Sequence, residues 1–390
     1  MPDAHAPSGI EFSFTDTMKM VQSLARDFAV SEIRPVVVKY DESQEFPFDL
    51  VRKMGELGFM GILFPDEYGG AGFGYLEYVV ILEELSKIDP SIGLIVAAHN
   101  SLCTNHIYRF GNTSQKKEYL PGLCTGRTVG AWALTEPGSG SDAGAMRSTV
   151  RREADAFILN GSKAFCTNGS VAGTAVVIAV TDPSKAKKGI SAFILEKGMQ
   201  GFFPSKKENK LGMRASDTSS LTFDNVRIPR GNLLGEEGSG FRQALTILDG
   251  GRISIAALAL GIAQGALGAS VKYSREREQF GKPIGEFQAI QWKLADMATE
   301  IEAARLLTLK AAFLKDRGNE VVLESSMAKY YASEAAARAT SEAVQIHGGY
   351  GFIKEFPVEK LYRDVKLTTI GEGTSEIQKL IIARELLKMF

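Results

Sequence analysis

Thr174-Ala-Val-Val-Ile-Ala-Val180 is a short β-rich run, and three more of its kind lie close by: Phe157-Ile-Leu159, Ser191-Ala-Phe-Ile-Leu195 and Ser220-Leu-Thr-Phe223. Gly, Asn and Asp separate them, and Asn160-Gly161 and Asp224-Asn225 read as turns. No helical segment intervenes. Strands in direct succession predict an antiparallel, all-β domain over about 130–235 and argue against a Rossmann sheet wound through helices.

The pattern is helical on both sides. Upstream, 48–59, 76–87 and 92–110 place apolar residues at helical spacing, and Ser114-Gln-Lys-Lys-Glu-Tyr-Leu-Pro121 starts with a cap and ends at proline. Downstream, three long amphipathic segments at 240–274, 286–316 and 322–346 suit a bundle, and shorter helices follow near 357–366 and 374–388. The expected fold class is α+β multidomain. It comprises an N-terminal helical domain (1–129), a middle antiparallel β domain (130–235) and a C-terminal helical bundle (236–390).

A chain of 390 residues is too long for one simple core. Its 45 Lys plus Arg offset 46 Asp plus Glu, so no basic face is implied and nucleic acid is not an expected partner. No run approaches the roughly 18 apolar residues of a membrane helix. The greasiest stretch, Ala256-Ala-Leu-Ala-Leu-Gly-Ile-Ala263, reads as a buried helix. Cys103, Cys124 and Cys166 have no zinc spacing, and the four histidines form no HxxxH pair, so no metal site is expected. The odd cysteine count and an N-terminus without an apolar leader segment predict a cytoplasmic protein.

Glu372 stands between Gly371 and Gly373, just before a helix. A carboxylate on a glycine-flanked turn can reach into a cleft, and amides at a helix start can meet developing negative charge. The chemistry suggested is proton abstraction beside an oxyanion-binding backbone; in isolation the same residues read as a solvated helix cap. Four other stretches carry comparable ambiguity. Ala133-Leu-Thr-Glu-Pro-Gly-Ser-Gly-Ser-Asp-Ala143 offers amides and hydroxyls to an oxygen-rich cofactor, or is a flexible loop. Asn160-Gly-Ser-Lys-Ala-Phe-Cys-Thr-Asn-Gly169 sets an aromatic ring and a hydroxyl against a flat heterocycle, or is an ordinary strand. The arginines of Ser274-Arg-Glu-Arg-Glu-Gln-Phe-Gly281 suit phosphates, or form a charged interhelical turn. Gln345-Ile-His-Gly-Gly-Tyr-Gly-Phe352 is a helix end in which His347 reads as packed and not as catalytic.

In this order and at these separations, the five stretches resemble the acyl-CoA dehydrogenase family of flavoproteins. The likeness covers 12–390. It implies FAD, held at Leu134, Thr135, Gly140, Ser141, Phe165, Thr167, Gln288, Gln345, Gly349, Thr374 and Glu376. Arg277, Gln279 and Phe280 match the segment that reaches the FAD of a neighbouring subunit. Ser141, Asp249, Arg252 and Gly373 match contacts to the CoA substrate. Glu372 matches the family base. One subgroup carries that base on the helix containing Arg252, where this chain has Gly251.

The implied reaction oxidises an acyl-CoA to its 2,3-enoyl-CoA. Glu372 takes the α-proton, the Glu372 N–H steadies the thioester oxygen, and burial raises the Glu372 pKa. The resemblance further implies an electron-transfer flavoprotein as acceptor and a homotetramer. Gly371 and Gly251 widen the expected acyl pocket, which favours short, branched or ring-shaped groups. An acyl-CoA oxidase and a catalytically silent flavin-binding scaffold are the alternatives. A glutaryl-type enzyme is disfavoured, because 91–104 contains no arginine.

Overall fold

The computed structural model describes residues 13–389. The N-terminal reading at 1–8, with His5, lies outside them. Seven α-helices come first among the described residues: α1 Asp16–Phe28, α2 Val37–Ser43, α3 Phe48–Glu56, α4 Tyr75–Ile88, α5 Pro90–Ala98, α6 Asn105–Phe110 and α7 Thr113–Cys124. Two depart from expectation. The segment 92–110 is interrupted by wide turns at His99–Thr104. There His99 accepts from Gly130 N–H and Asn100 spans Phe59 and Ile62, tertiary bonds that a locally widened helix can reach. Helix α7 is capped by Asn112 with Gln115 and continues through Pro121 to Cys124. The Thr125 hydroxyl donates to the Pro121 carbonyl and closes that last turn.

The sheet consists of β1 Gly130–Ala133, β2 Thr149–Arg152, β3 Ala156–Thr167, β4 Thr174–Val180, β5 Ile190–Glu196, β6 Phe202–Lys207, β7 Thr218–Pro229 and β8 Leu233–Leu234. Its order is β6-β7-β3-β2-β4-β5-β8, with β1 also on β4. The expected all-antiparallel pattern needs correction, because β1 and β2 both run parallel to β4. A parallel pair needs a long connection: β1 reaches β4 through 134–173 and β2 through 153–173, both by way of β3. The two expected turns are also corrected. Asn160-Gly161 lies inside β3 and Asp224-Asn225 inside β7, facing each other across a bulge where Asn225 N–H donates to Asn160 Oδ1. Strand β4 is apolar throughout because both its faces are covered: Val176 and Ile178 pack toward α6 and α7, Ala175 and Val177 into the opposite core.

The chain then enters α8 Gly240–Glu276, a short hairpin of β9 Glu278–Gln279 and β10 Lys282–Pro283, α9 Gln288–Asp316, α10 Val322–His347, α11 Pro357–Val365 and α12 Ser375–Leu386. Helix α8 is long and apolar enough to cross a membrane by length and composition, contrary to the run-length reading above; 72% of its most apolar window is buried inside the protein. One continuous core joins α1, α3, α4 and α5 to α8, α9, α10 and α11. Helix α4 lies so close to α8 that a Cβ on Gly261 would stand 2.5 Å from the Glu83 carbonyl oxygen. Earlier on the same helix, Tyr75 of α4 covers Gly250 and the Tyr78 hydroxyl lies 3.2 Å from Ser254 Oγ, which flank Gly251.

Candidate active site

The turn before α12 is built on two consecutive left-handed residues, Glu372 (φ 54°) and Gly373 (φ 94°). Glycine accepts that conformation freely; for Glu372 it costs about 1–2 kcal/mol, which surrounding bonds must offset. Buried Gln378 donates from Nε2 to the carbonyls of Glu372 (3.2 Å) and Gly373 (3.0 Å). Lys329 Nζ, on α10, donates to the same Gly373 carbonyl at 2.7 Å. Thr374 caps α12 by accepting from Ile377 N–H. The strained turn is therefore tied from two helices.

Its product is the placement of the Glu372 carboxylate. The residue as a whole is half-buried, but Oε2 is covered and has no hydrogen-bond partner. A Cβ built on Gly251 would lie 1.8 Å from that oxygen, so the carboxylate rests on the bare backbone of α8. Burial pushes the Glu372 pKa up to about 7, against the opposing pull of Lys329 and Arg252. A carboxylate poised near neutrality, with an unpartnered oxygen, is suited to accept a proton.

Asp249 and Arg252 join this cluster. Arg252 is 5% exposed, donates from Nη1 to Asp249 Oδ1 at 2.7 Å and leaves Nε without a partner. Burial raises the Asp249 carboxyl above its ordinary value, despite Arg252. Tyr78, on α4, closes the inner side: its hydroxyl, wholly buried, donates to the Ala97 carbonyl and lies 3.2 Å from Ser254 Oγ.

A second group forms around the loop after β1. The Ala164 N–H donates to the Thr135 carbonyl at 2.8 Å, which joins Leu134 and Thr135 to the strand bearing Phe165 and Thr167. Beneath it, fully buried Lys163 donates to the Leu134 carbonyl and to Glu136, whose carboxylate also receives the N–H groups of Arg147 and Ser148. Burial works against the Glu136 charge; the Lys163 bond and both N–H donors outweigh it and hold its pKa below the ordinary value. Gly140 and Ser141 lie exposed on this fixed loop. Phe165 adopts φ 54° and turns its ring outward, 67% exposed. An outward ring beside a braced loop of amides and hydroxyls fits a flat heterocycle with a polar tail.

The third group lies at the other end of α8. The segment expected as a charged interhelical turn is the β9–β10 hairpin, with Phe280 (φ 54°) and Gly281 (φ 79°) at its tip. Phe280 is 94% exposed. Arg277, Gln279 and Gly349 line one cleft of about 410 Å³, with Tyr350 under the Arg277 guanidinium at 5.5 Å. His347 is packed, as expected, stacked on Tyr273 at 4.3 Å. Gln345 and Gln288 are exposed on the last turn of α10 and the first of α9, and Glu376 is exposed on the first turn of α12. Arg252 on α8 and Arg277, the residue that follows its end, stand 25 residues apart, about 37 Å at the helical rise. In one chain, then, the Arg277 cleft and the Glu372 cluster are separate places.

Sequence reasoning missed Lys163, Glu136, Lys329 and Gln378. Each is a polar side chain buried under a functional loop, and a buried lysine looks like a surface lysine until packing is known.

These three groups and the helix–sheet–helix order agree with the comparisons. The chain matches the models of the acyl-CoA dehydrogenase N-terminal domain over 15–127, middle domain over 131–226 and C-terminal domain over 238–387. It belongs to the acyl-CoA dehydrogenase family, whose members are FAD flavoproteins and oxidoreductases acting on CH–CH groups. Among its relatives, the short-chain specific acyl-CoA dehydrogenase of Clostridium acetobutylicum is 47% identical, covering 97% of this chain and 100% of that one. The acryloyl-CoA reductase (NADH) of Anaerotignum propionicum is also 47% identical, covering 97% and 96%. A chain from the structure of the electron transferring flavoprotein of Acidaminococcus fermentans superposes with a TM-score of 0.96 at 48% identity, covering 97% and 100%.

Proposed function

We propose that this chain dehydrogenates a short-chain, branched or cyclic acyl-CoA to the 2,3-enoyl-CoA, with Glu372 as the base that takes the α-proton. The observation that carries the reading is the unpartnered, buried Glu372 Oε2 lying over Gly251, with a pKa pushed up to about 7. FAD, when bound, supplies the acceptor for the β-hydrogen as hydride. Phe165, Thr167 and the braced loop with Leu134, Thr135, Gly140 and Ser141 would hold it, and Thr374 and Glu376 would flank it.

The remaining work falls to the protein. Asp249, Arg252, Ser141 and Gly373 bind the CoA side and aim the thioester. The Glu372 N–H steadies negative charge on the thioester oxygen as the proton leaves. Closure of the pocket by the acyl group excludes water, which keeps the Glu372 proton affinity high enough for a weak carbon acid. We propose a homotetramer on the family likeness; the roughly 37 Å between Arg252 and Arg277 fits Arg277, Gln279 and Phe280 serving the cofactor of a neighbour. An electron-transfer flavoprotein is the proposed acceptor, as the Acidaminococcus likeness suggests. The acryloyl-CoA reductase relative favours a second reading in which the same site runs toward the saturated thioester. Glu372 would then donate the α-proton it takes in the forward direction.

A panel of acyl-CoA thioesters, scored by bleaching of the flavin in the purified protein, tests the function and the pocket together. Short, branched and ring-shaped acyl groups should bleach it and a long straight chain should not; no bleaching by any of them would leave a silent scaffold. Reoxidation by oxygen as fast as by electron-transfer flavoprotein would favour an oxidase. Gly371 refines the test. The three atoms nearest a Cβ there all belong to Leu367, at 3.4–3.7 Å, which is ordinary contact, so the backbone has room for a side chain. Gly371→Tyr should penalise branched and cyclic substrates against butyryl-CoA by roughly 10–200-fold. Equal losses on every substrate would mean that Gly371 serves the backbone and not the pocket.

A further inference from the structure

Helix α10 holds the whole approach to the catalytic turn through one face. Ser333 Oγ donates to the Thr368 carbonyl at 2.8 Å, Glu334 accepts from Ser375 Oγ at 2.6 Å, and Lys329 Nζ donates to the Gly373 carbonyl at 2.7 Å. Lys329 is the odd member. Its exposure is zero, and a buried ammonium costs several kcal/mol unless it is compensated. Its one recorded hydrogen bond is to the backbone of the turn and not to a carboxylate.

We infer that Lys329 is a positioning residue of the reaction: it clamps the left-handed Glu372–Gly373 turn so that the Glu372 carboxylate lies over Gly251, and its charge favours the ionised, proton-accepting form. The proposal rests on Glu372 being the base. The geometry supports it from two sides. The Gly373 carbonyl receives both Lys329 and Gln378, so the Gly373–Thr374 peptide, one residue beyond the base, cannot rotate without losing two bonds. The charged and titratable groups around the pair are Arg252 on α8, Tyr78 on α4, Glu334 on α10 and Glu376 on α12. Arg252 already bonds Asp249, which leaves Lys329 as the cation without a carboxylate hydrogen-bonded to it. Burial lowers the Lys329 pKa to about 8, so it carries its charge over the range in which Glu372 ionises.

The test compares Lys329→Met with Lys329→Gln in the flavin-loaded protein, using butyryl-CoA and electron-transfer flavoprotein. Lys329→Met should lower kcat about 10–100-fold with KM nearly unchanged. It should also move the acid limb of the kcat–pH profile upward by about one unit, because an opposing charge has gone. Lys329→Gln keeps a donor without the charge. It should recover part of kcat while the limb stays displaced. A merely structural lysine would change thermal stability and flavin content and leave the limb in place, and that result overturns the proposal. Failure of both variants to fold overturns it as well, since Lys329 would then prop the bundle and not the turn. Glu372→Gln, assayed alongside, separates the two ideas. If it is inactive while both Lys329 variants behave as wild type, only the Lys329 role falls; if it is active, the base assignment falls instead.

Discussion

Glu372→Gln should retain FAD and lose at least about 10³-fold in turnover, the upper range for removal of a positioned base. The amide keeps the shape that fits over Gly251 but has no affinity for the α-proton. Wild-type turnover should fall as pH drops through about 7, where the carboxylate takes up its proton, and the variant should show no such limb. Stability moves the opposite way. The folded-state pKa, about 7, lies above the ordinary 4.5, so between those values the folded chain binds a proton that the unfolded chain has released. Stability from this group is therefore full below about 4.5 and lost as pH rises through 7, a loss on the order of 3 kcal/mol. Glu372→Gln escapes that loss. It should unfold at a higher temperature than wild type at pH 8, with the two closer at pH 5. Substantial turnover by the variant, or an unchanged acid limb, would remove Glu372 from the reaction.

The base is legible in the sequence while its surroundings are not. GEGT before a helix shows a carboxylate that glycine lets approach a ligand, and the motif order shows the family. Neither shows what neutralises or braces it. Lys163 and Lys329 each read as ordinary helix or strand lysines, because their burial follows from how three layers pack and not from any local pattern. The same distinction separates the strands that were read correctly from the pairings that were not. Continuous apolar runs mark β4 and β5 whatever their direction. The parallel pairing of β1 and β2 with β4, by contrast, depends on chain that doubles back through β3, and no local pattern marks it. The bulge joining Asn160 to Asn225 reads as two turns in the sequence for a related reason: Asn-Gly and Asp-Asn signal positive φ, which a hairpin and a bulge share. The hairpin at Phe280 shares only the positive φ, at Phe280 and Gly281, and without an Asn-Gly or Asp-Asn pair its charged flanks dominate the reading.

Moving the base to α8 should restore activity to a chain that has lost it. A Cβ on Gly251 would stand 1.8 Å from Glu372 Oε2 and 2.8 Å from the carboxylate carbon. Two consequences follow. Gly251→Ala alone must push the carboxylate off its seat, and turnover should drop about 100-fold although nothing polar has been removed. A glutamate at 251, with residue 372 emptied, would hold its carboxylate carbon ~2.5 Å from its own Cβ, a reach comparable to the distance at which the native carbon lies, so a suitable rotamer can bring it there. Glu372→Gly is a mild change for the fold, because φ there is 54° and glycine relieves the strain of a left-handed residue. The single variant Glu372→Gly should be inactive and flavin-loaded. The double variant Gly251→Glu, Glu372→Gly should exceed it by about 10–100-fold, short of wild type because Lys329 was arranged for a carboxylate on the turn. Adding the glutamate at 251 while keeping Glu372 should be worse than wild type, since two carboxylates would compete for one buried space. Butyryl-CoA turnover of the four folded proteins decides the matter. A double variant no better than Glu372→Gly would mean that the proton must be taken from the side of the turn, and that the space over Gly251 is a resting place for the carboxylate and not the position from which it acts.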